Sequence, residues 1–262
     1  MYHNRLIPCL LLDNGKLVKT VQFRKPVYVG DPINAVKIFN DKEVDELIFL
    51  DINATRSHKK PDFEYLKKIA EQCFMPLCYG GGINSLEDIG TLFRIGFEKV
   101  SINAAAIDHP QLIGEAAKVY GSQSIVGAMD VGKNMFGKTI VKFENGTRGT
   151  KYTPKEYAKR LEEAGAGEIF LNSIIRDGMM TGYDCELIRE VADSVQVPVI
   201  ACGGAGNLQD CRSAIDSGAS AAAAGSIFVF WGVNKAVLIN YPDSAETAEL
   251  FGREDLREYG RK

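Results

Sequence analysis

The sequence predicts one (β/α)8 barrel, and three observations predict it: a length of 262 residues, short apolar runs alternating with helix-length amphipathic stretches, and an internal repeat of constant offset. A single barrel of this class ordinarily takes about 250 residues. Strands buried on both faces read as near-continuous apolar runs bounded by glycine or polar residues. Such runs occur at Leu6–Leu12, Glu46–Leu50, Met75–Tyr79, Lys99–Ile102, Ser124–Met129, Glu168–Asn172, Val197–Ala201 and Ala221–Ala224. Helical patterns lie between them, for example at Pro61–Gln72, Leu86–Ile95 and Pro154–Ala164. Strand–helix alternation implies a parallel sheet, and eight units close it.

The repeat sets the internal organisation. The segment from Asp45 to Asp51 resembles the one from Gly167 to Ser173, with Glu46 matching Glu168 (168 − 46 = 122). Pro32 and Pro154, Gly82 and Gly204, and Asn103 and Gly225 are each separated by the same 122 residues. Four landmarks at one offset indicate two half-barrels, about 1–122 and 123–240, followed by a polar C-terminal tail.

Composition excludes several classes. A net charge of −3 argues against nucleic acid or an anionic membrane as a bulk electrostatic partner. Cys9, Cys73, Cys78, Cys185, Cys202 and Cys211 form no CxxC pair, and His3, His58 and His109 are scattered, so neither a metal nor another cofactor is expected. Several of these cysteines sit in apolar strand contexts that suit reduced, buried thiols. No signal peptide opens the chain and no apolar run approaches a membrane span, which places the protein in the cytoplasm by expectation.

Glycine turns carry the first functional signal. Gly80-Gly81-Gly82 follows the third strand of the first half, and Gly203-Gly204-Ala205-Gly206 the third strand of the second. Small-residue turns, Ser101–Ala104 and Ala223–Ser226, follow the two fourth strands. Backbone N–H groups reach a phosphate where no Cβ intervenes, and the loops after the seventh and eighth strands are a habitual barrel phosphate site. Two symmetric copies predict two phosphates on opposite sides of the mouth: one near Gly81, Gly82 and Asn103, the other near Gly203, Gly204, Gly225 and Ser226. The structural alternative is that these glycines only make tight βα turns.

These stretches, with Glu46–Ile52, Tyr79–Ile83, Lys99–Asn103, Asn172–Gly178 and Ile200–Gly206, resemble HisF, the cyclase subunit family of imidazole glycerol phosphate synthase, from Arg5 to about Phe228. The resemblance implies a subunit that takes ammonia from a HisH-like glutaminase docked at the strand amino-terminal face, around Arg5 and Glu98. The ammonia passes through the barrel to a bis-phosphorylated substrate. In the family reaction, ammonia and PRFAR give imidazole glycerol phosphate and AICAR in histidine biosynthesis. Two aspartates serve as general acid and base there; the fifth-strand one maps onto Asp130, while the first-strand position is Leu11. Asp13 faces the same side as Leu11, about 6–7 Å farther along the strand, which is too far for an equivalent role. Lys19, Asp51, Asn103, Asp177 and Gly178 match the family's substrate-binding positions, and Arg5, Glu46, Lys99 and Glu168 match its ring of charges at the ammonia inlet. Departures are Thr20 after the loop lysine, Ala104 after Asn103, Asn172 where threonine is common, and the loop from Val21 to Val29.

Several readings follow. The loss at Leu11 favours a HisF-like paralogue that supplies ammonia for amidation of surface-polysaccharide sugars through a separate ligase. The alternatives are a working imidazole glycerol phosphate synthase subunit and a non-catalytic scaffold or activator of the glutaminase. A fourth, the related ProFAR isomerase, shares the repeat but is disfavoured by the four-charge ring.

Overall fold

The computed structural model describes residues 4–54, 57, 59–232 and 234–252; His3, His58 and the polar tail from 253 onward lie outside the described residues. Eight parallel strands form the barrel: β1 (Arg5–Asp13), β2 (Leu47–Asp51), β3 (Leu77–Gly80), β4 (Lys99–Ile102), β5 (Ile125–Lys133), β6 (Glu168–Ser173), β7 (Val199–Cys202) and β8 (Ala221–Ala224). Each pairs with the next, and β8 pairs with β1 (Arg5 opposite Ala221), which closes the ring. The helices that pack outside are α1 (Pro32–Asp41), α2 (Phe63–Ala70), α3 (Leu86–Arg94), α4 (Gln111–Tyr120), α5 (Pro154–Ala164), α6 (Cys185–Ala192), α7 (Leu208–Asp216) and α8 (Ser244–Phe251). Among the described residues, no helix is long and apolar enough to cross a membrane, and no group of three or more His, Cys, Asp or Glu could hold a metal ion.

Local chemistry sets the helix starts. Asp31, Asp62, Ser85, Thr153, Asp184, Asn207 and Asp243 each accept a hydrogen bond from a backbone N–H of the following turn. Thr153 and Glu156 close a capping box around Pro154, and Pro32 likewise occupies a first-turn position. The core has two parts. One lies between barrel and helices, built on residues such as Phe39, Phe49, Leu92, Leu161 and Val191. The other fills the barrel itself and contains Ile7, Cys9, Ile48, Cys78, Val126, Ala128, Phe170, Ile200, Ala221 and Ala223.

The strands differ from expectation mainly at their carboxyl ends. β5 continues to Lys133, four residues past Met129, because an antiparallel strand, Thr139–Phe143, pairs with its extension. β1 continues to Asp13 because a hairpin of Lys16–Val21 and Arg24–Gly30 folds back onto it. The turns that reverse these chains use left-handed residues: Asn14 and Gly15 between β1 and Lys16–Val21, Gln22 and Phe23 between Lys16–Val21 and Arg24–Gly30, Gly137 between β5 and Thr139–Phe143, and Glu144, Asn145 and Gly146 between Thr139–Phe143 and a short strand at Arg148–Gly149. Asn-Gly between apolar runs is a hairpin signal, so both features had a sequence cue that the barrel pattern overshadowed.

The first hairpin is tied to the loop after β6. Asp177 accepts from Lys19 Nζ (2.9 Å), Thr20 Oγ1 (2.8 Å) and Phe23 N (3.3 Å), while Gln22 N donates to the Asp177 carbonyl (2.9 Å). Gly178 permits this approach: its φ is +69°, and a Cβ there would lie 2.3 Å from the Thr20 carbonyl oxygen. Gly178→Ala should therefore cost on the order of 2–4 kcal/mol in urea unfolding. Gly137→Ala is the control, with φ of +77° but nothing within 4 Å, and should cost only about 1 kcal/mol.

Candidate functional site

Strand register decides which side chains meet inside the barrel. On β1 the inward positions are Arg5, Ile7, Cys9 and Leu11, because successive residues alternate between faces. The same alternation brings Glu46, Ile48 and Leu50 inward before and along β2, and Glu168, Phe170 and Asn172 on β6. The interior is thus layered from a charged bottom through an apolar middle to a polar mouth.

At the bottom, Arg5 Nη1 meets Glu46 Oε2 and Arg5 Nη2 meets Glu168 Oε1, both at 2.5 Å; Lys99 Nζ meets Glu46 Oε2 at 3.0 Å and Glu168 Oε2 at 2.8 Å. All four edges of the square are ion pairs of alternating sign. Burial alone would lower the Arg5 and Lys99 pKa values, but the two glutamates outweigh it and hold both above their ordinary values. Just inside the ring, burial pushes the Cys78 thiol well up, so it stays neutral. Higher up, Cys202 is also raised, first by its hydrogen bond with Cys9 and then by burial. The path between the ends is therefore lined by aliphatic, aromatic and neutral thiol groups.

At the carboxyl ends of the strands lies one cavity. Asp130, Lys19, Asp51, Asn103, Asp177, Gly178, Gly81, Gly203, Gly204, Gly225 and Ser226 all contribute to its wall. Gly82 is not in that wall: it packs beneath it, where a Cβ would lie 2.5 Å from the Lys59 carbonyl oxygen. Gly81 and Gly204 face the cavity and also pass close to neighbouring backbone, at 2.6 Å from the Asp51 oxygen and 2.2 Å from the Gly182 oxygen for an added Cβ. Loop packing thus requires glycine at both turns, and it leaves their backbones open to a ligand.

The two halves of the floor are geometrically equivalent and chemically opposite. Leu11 pairs with Leu50, and Asp130 pairs with Asn172. Leu50 and Asn172 are themselves separated by the repeat offset (172 − 50 = 122). Leu11 thus occupies the slot in the first half that Asp130 occupies in the second, and both line the cavity. Asp13 does not line it: this carboxylate accepts from Asn14 Nδ2 (2.7 Å) and from Asn53 Nδ2 at the rim.

Asp130 sits at the bottom of this mouth, accepting from Asn103 Nδ2 (2.8 Å) and Asn172 Nδ2 (3.3 Å). Desolvation pushes its pKa up to about 7, against the pull of the two amide hydrogen bonds; Asp177 adds a smaller upward push. A carboxyl group that titrates near neutrality is suited to proton transfer. Asp51 is also raised by burial, but one of its oxygens accepts from both Asn53 N and Ala54 N, each at 3.0 Å, so it caps the β2 loop as well as facing the cavity. Lys19 is committed to Asp177.

The cavity also holds residues that sequence reasoning missed: Phe23 from the first hairpin and Glu144 and Asn145 from the second. Asn145 Nδ2 donates to the Ile52 carbonyl, which ties the second hairpin to the loop after β2. The signals were Asn14-Gly15 and Asn145-Gly146; without the hairpins recognised, nothing placed these side chains over the mouth.

A closed ring of eight parallel strands with a charge ring at one end and a glycine-rimmed cavity at the other defines the class: a single (β/α)8 barrel with a cavity at the carboxyl ends of its strands. Residues 5–234 match the family described as histidine biosynthesis protein. The chain is 55% identical to "Putative imidazole glycerol phosphate synthase subunit hisF2" of Pseudomonas aeruginosa, over 93% of this chain and 97% of that protein. It is 46% identical to "Putative imidazole glycerol phosphate synthase subunit HisF" of Leptospira interrogans, over 96% of this chain and all (100%) of that protein. With "Imidazole glycerol phosphate synthase subunit HisF" of Streptomyces coelicolor the identity is 43%, over 86% and 90%. The chain belongs to the HisF family of imidazole glycerol phosphate synthase subunits.

The raised pKa of Asp130 has a stability consequence. The folded state holds a proton there that the unfolded chain releases near 3.8, so this group's contribution is fully present below that pH and is lost as pH rises through about 7. Asp130→Asn removes the titration. Denaturant unfolding at pH 5 and pH 8 should show the wild type losing stability relative to Asp130→Asn by on the order of 2 kcal/mol. A pH-independent difference would place the titration elsewhere.

Proposed function

We propose that this chain is the synthase-type subunit of a glutamine amidotransferase complex, and that it delivers ammonia for amidation of a sugar by a separate ligase. A HisH-like glutaminase docks at the strand amino-terminal face, around Arg5 and Glu98, and ammonia enters through the ring of Arg5, Glu46, Lys99 and Glu168. Neutral ammonia crosses the apolar interior far more cheaply than ammonium, whose desolvation is expensive. The turns at Gly81 and Asn103, with Gly82 packed behind the first, and at Gly203, Gly204, Gly225 and Ser226, hold the phosphates of a small-molecule ligand, with Lys19, Asp51, Asp177 and Gly178 around it.

The observation that carries the paralogue reading is Leu11. Leu11 and Asp130 hold equivalent positions in the strand pairing of the two halves, and Asp13, two residues on, accepts from Asn53 at the rim. Loss of one general acid or base typically removes about 10²–10⁴ in rate. The second reading, a working imidazole glycerol phosphate synthase subunit, is supported by the 43% identity to the Streptomyces coelicolor protein and by Asp130 in place. Turnover separates the two. With ammonium salt and the histidine-pathway substrate, the isolated chain should be slower than an ordinary cyclase by about 10²-fold or more. Leu11→Asp should recover part of that loss. Wild-type turnover at the ordinary rate would establish the second reading.

A three-component assay of glutaminase, this chain and the acceptor ligase tests the conduit. Lys99→Ala, or a bulky residue at Ala221 inside the barrel, should cut glutamine-driven product several-fold and leave ammonium-driven product unchanged. If neither variant alters the glutamine-driven rate while the glutaminase still binds, the chain is a scaffold.

A further inference from the structure

The two hairpins reach across the mouth of the barrel in opposite senses. The first, Lys16–Val21 with Arg24–Gly30, rises after β1 and is held by Asp177 in the loop after β6. The second, the end of β5 with Thr139–Phe143, leads back to the loop after β2, where Asn145 Nδ2 donates to the Ile52 carbonyl. Ile174, in the loop that holds the first hairpin, packs against the second: a Cβ added at Gly132 or Gly146 would lie 3.3 or 3.0 Å from its Cδ1. The outer surface of this roof is apolar. Val21 is 45% exposed, Ile175 and Met179 each 42%, and Gln22 Nε2 donates to the Ile175 carbonyl (3.0 Å). Met135 and Phe136, at the tip of the second hairpin, are 89% and 86% exposed.

The tip is a preformed turn. Asn134 Oδ1 accepts from Phe136 N (2.9 Å) and Lys138 N (3.0 Å), and Asn134 N donates to the Lys138 carbonyl (2.9 Å). A turn fixed in this way holds its side chains out with little ordering left to pay for on binding. Four residues of extended chain lead from Asp130 to Asn134, so the tip stands about 13 Å beyond the cavity floor. Singly scattered apolar side chains need no explanation, but a pair held out on an ordered loop beside a cavity mouth marks an interaction surface.

The charge around the tip indicates what covers it. Lys16, Arg24, Lys25, Lys133, Lys138 and Arg148 are exposed, whereas residues 14–30 and 131–149 carry no exposed carboxylate; Glu144 is half-buried and paired with Arg148. The chain as a whole has a net charge of −3, so this face is basic against the average. A second copy presenting the same face would set cation against cation. A bilayer would lay hydrocarbon over the polar mouth. A protein with an apolar pocket rimmed by carboxylates fits both the tip and its charge.

We propose that the outer face of the two hairpins, anchored by Met135 and Phe136, is the docking site of the acceptor ligase, which receives it in an apolar, carboxylate-rimmed pocket. The identity of the partner rests on the ammonia-delivery reading. Docking here sets the ligase over the cavity from which ammonia leaves, so that nitrogen is handed on without dilution into water.

The test uses the full chain in complex with glutaminase, together with the purified ligase of the three-component assay. Two variants are compared with the wild type: Met135→Ser with Phe136→Ser, and Lys133→Glu with Lys138→Glu. Ligase binding is read by titration calorimetry without glutamine, and self-association of the chain by sedimentation velocity. Each variant should weaken ligase binding about tenfold or more. Glutamine-driven product should fall at low ligase concentration and recover at saturating ligase, with ammonium-driven product and glutaminase binding unchanged. Ligase binding that is equal in the wild type and both variants, or absent in the wild type, overturns the dock. So does a serine variant that loses only self-association, which assigns the tip to a second copy, or a wild type that sediments with phosphatidylserine vesicles and ignores the ligase, which assigns it to a membrane. If the serine variant does not fold, the charge-reversed variant decides. Ligase binding is measured without ammonia transfer, so failure of the dock leaves the conduit to be judged by Lys99→Ala, and failure of the conduit leaves the binding result standing.

Discussion

The register of a closed parallel sheet is the constraint on which the rest of the molecule depends. Side chains alternate across each strand, so a slip of one residue would turn every inward group outward. With Arg5 opposite Ala221 and Leu11 opposite Leu50, β1 presents a cation, two apolar groups and a leucine to the interior in that order. β6 presents Glu168, Phe170 and Asn172 in the same sequence of levels. The charge ring, the apolar middle and the polar floor are consequences of this one pairing pattern rather than separate features.

The ring illustrates how that constraint shapes energetics. Four charges at the end of an apolar barrel are costly to bury unless each is paired. Here each cation contacts both glutamates and each glutamate both cations, so removing any member exposes two others to the cost of an unpaired buried charge. The ring thus braces strands β1, β4 and β6 and the residue before β2 at the amino-terminal face. These contacts brace the barrel and stand at the amino-terminal end of its interior, which is why sequence alone does not assign the charge pattern to one purpose.

At the opposite end, the two halves of the barrel differ where they correspond most closely. Leu11 and Leu50 make an apolar half-floor; Asp130 and Asn172 make a polar one. The hairpins accentuate the difference. The first commits Lys19 to Asp177 and turns Phe23 into the cavity, whereas the second supplies Glu144 and Asn145. Asp130 therefore sits with an aliphatic wall opposite, and its burial raises the carboxyl pKa toward neutrality although the amide donors at its sides pull it down.

The sequence by itself determined the barrel, its eight strands, the repeat of 122 and the glycine turns, because strand burial and close backbone approach leave marks in residue type that need no partner to be read. It also singled out Leu11, at a position where the family resemblance implies a carboxylate. Only the tertiary structure decided that Lys19 is bound to Asp177, that Asp13 is turned to the rim, that Gly82 packs behind the cavity wall, and that Phe23, Glu144 and Asn145 overhang it. Only there, too, do two asparagines separated by 69 positions (172 − 103 = 69) meet across Asp130, each donating its amide nitrogen to the carboxylate. The physical reason is the same in each case: burial and turn geometry are local and periodic, whereas the partner of a polar side chain depends on which distant strand the barrel brings beside it.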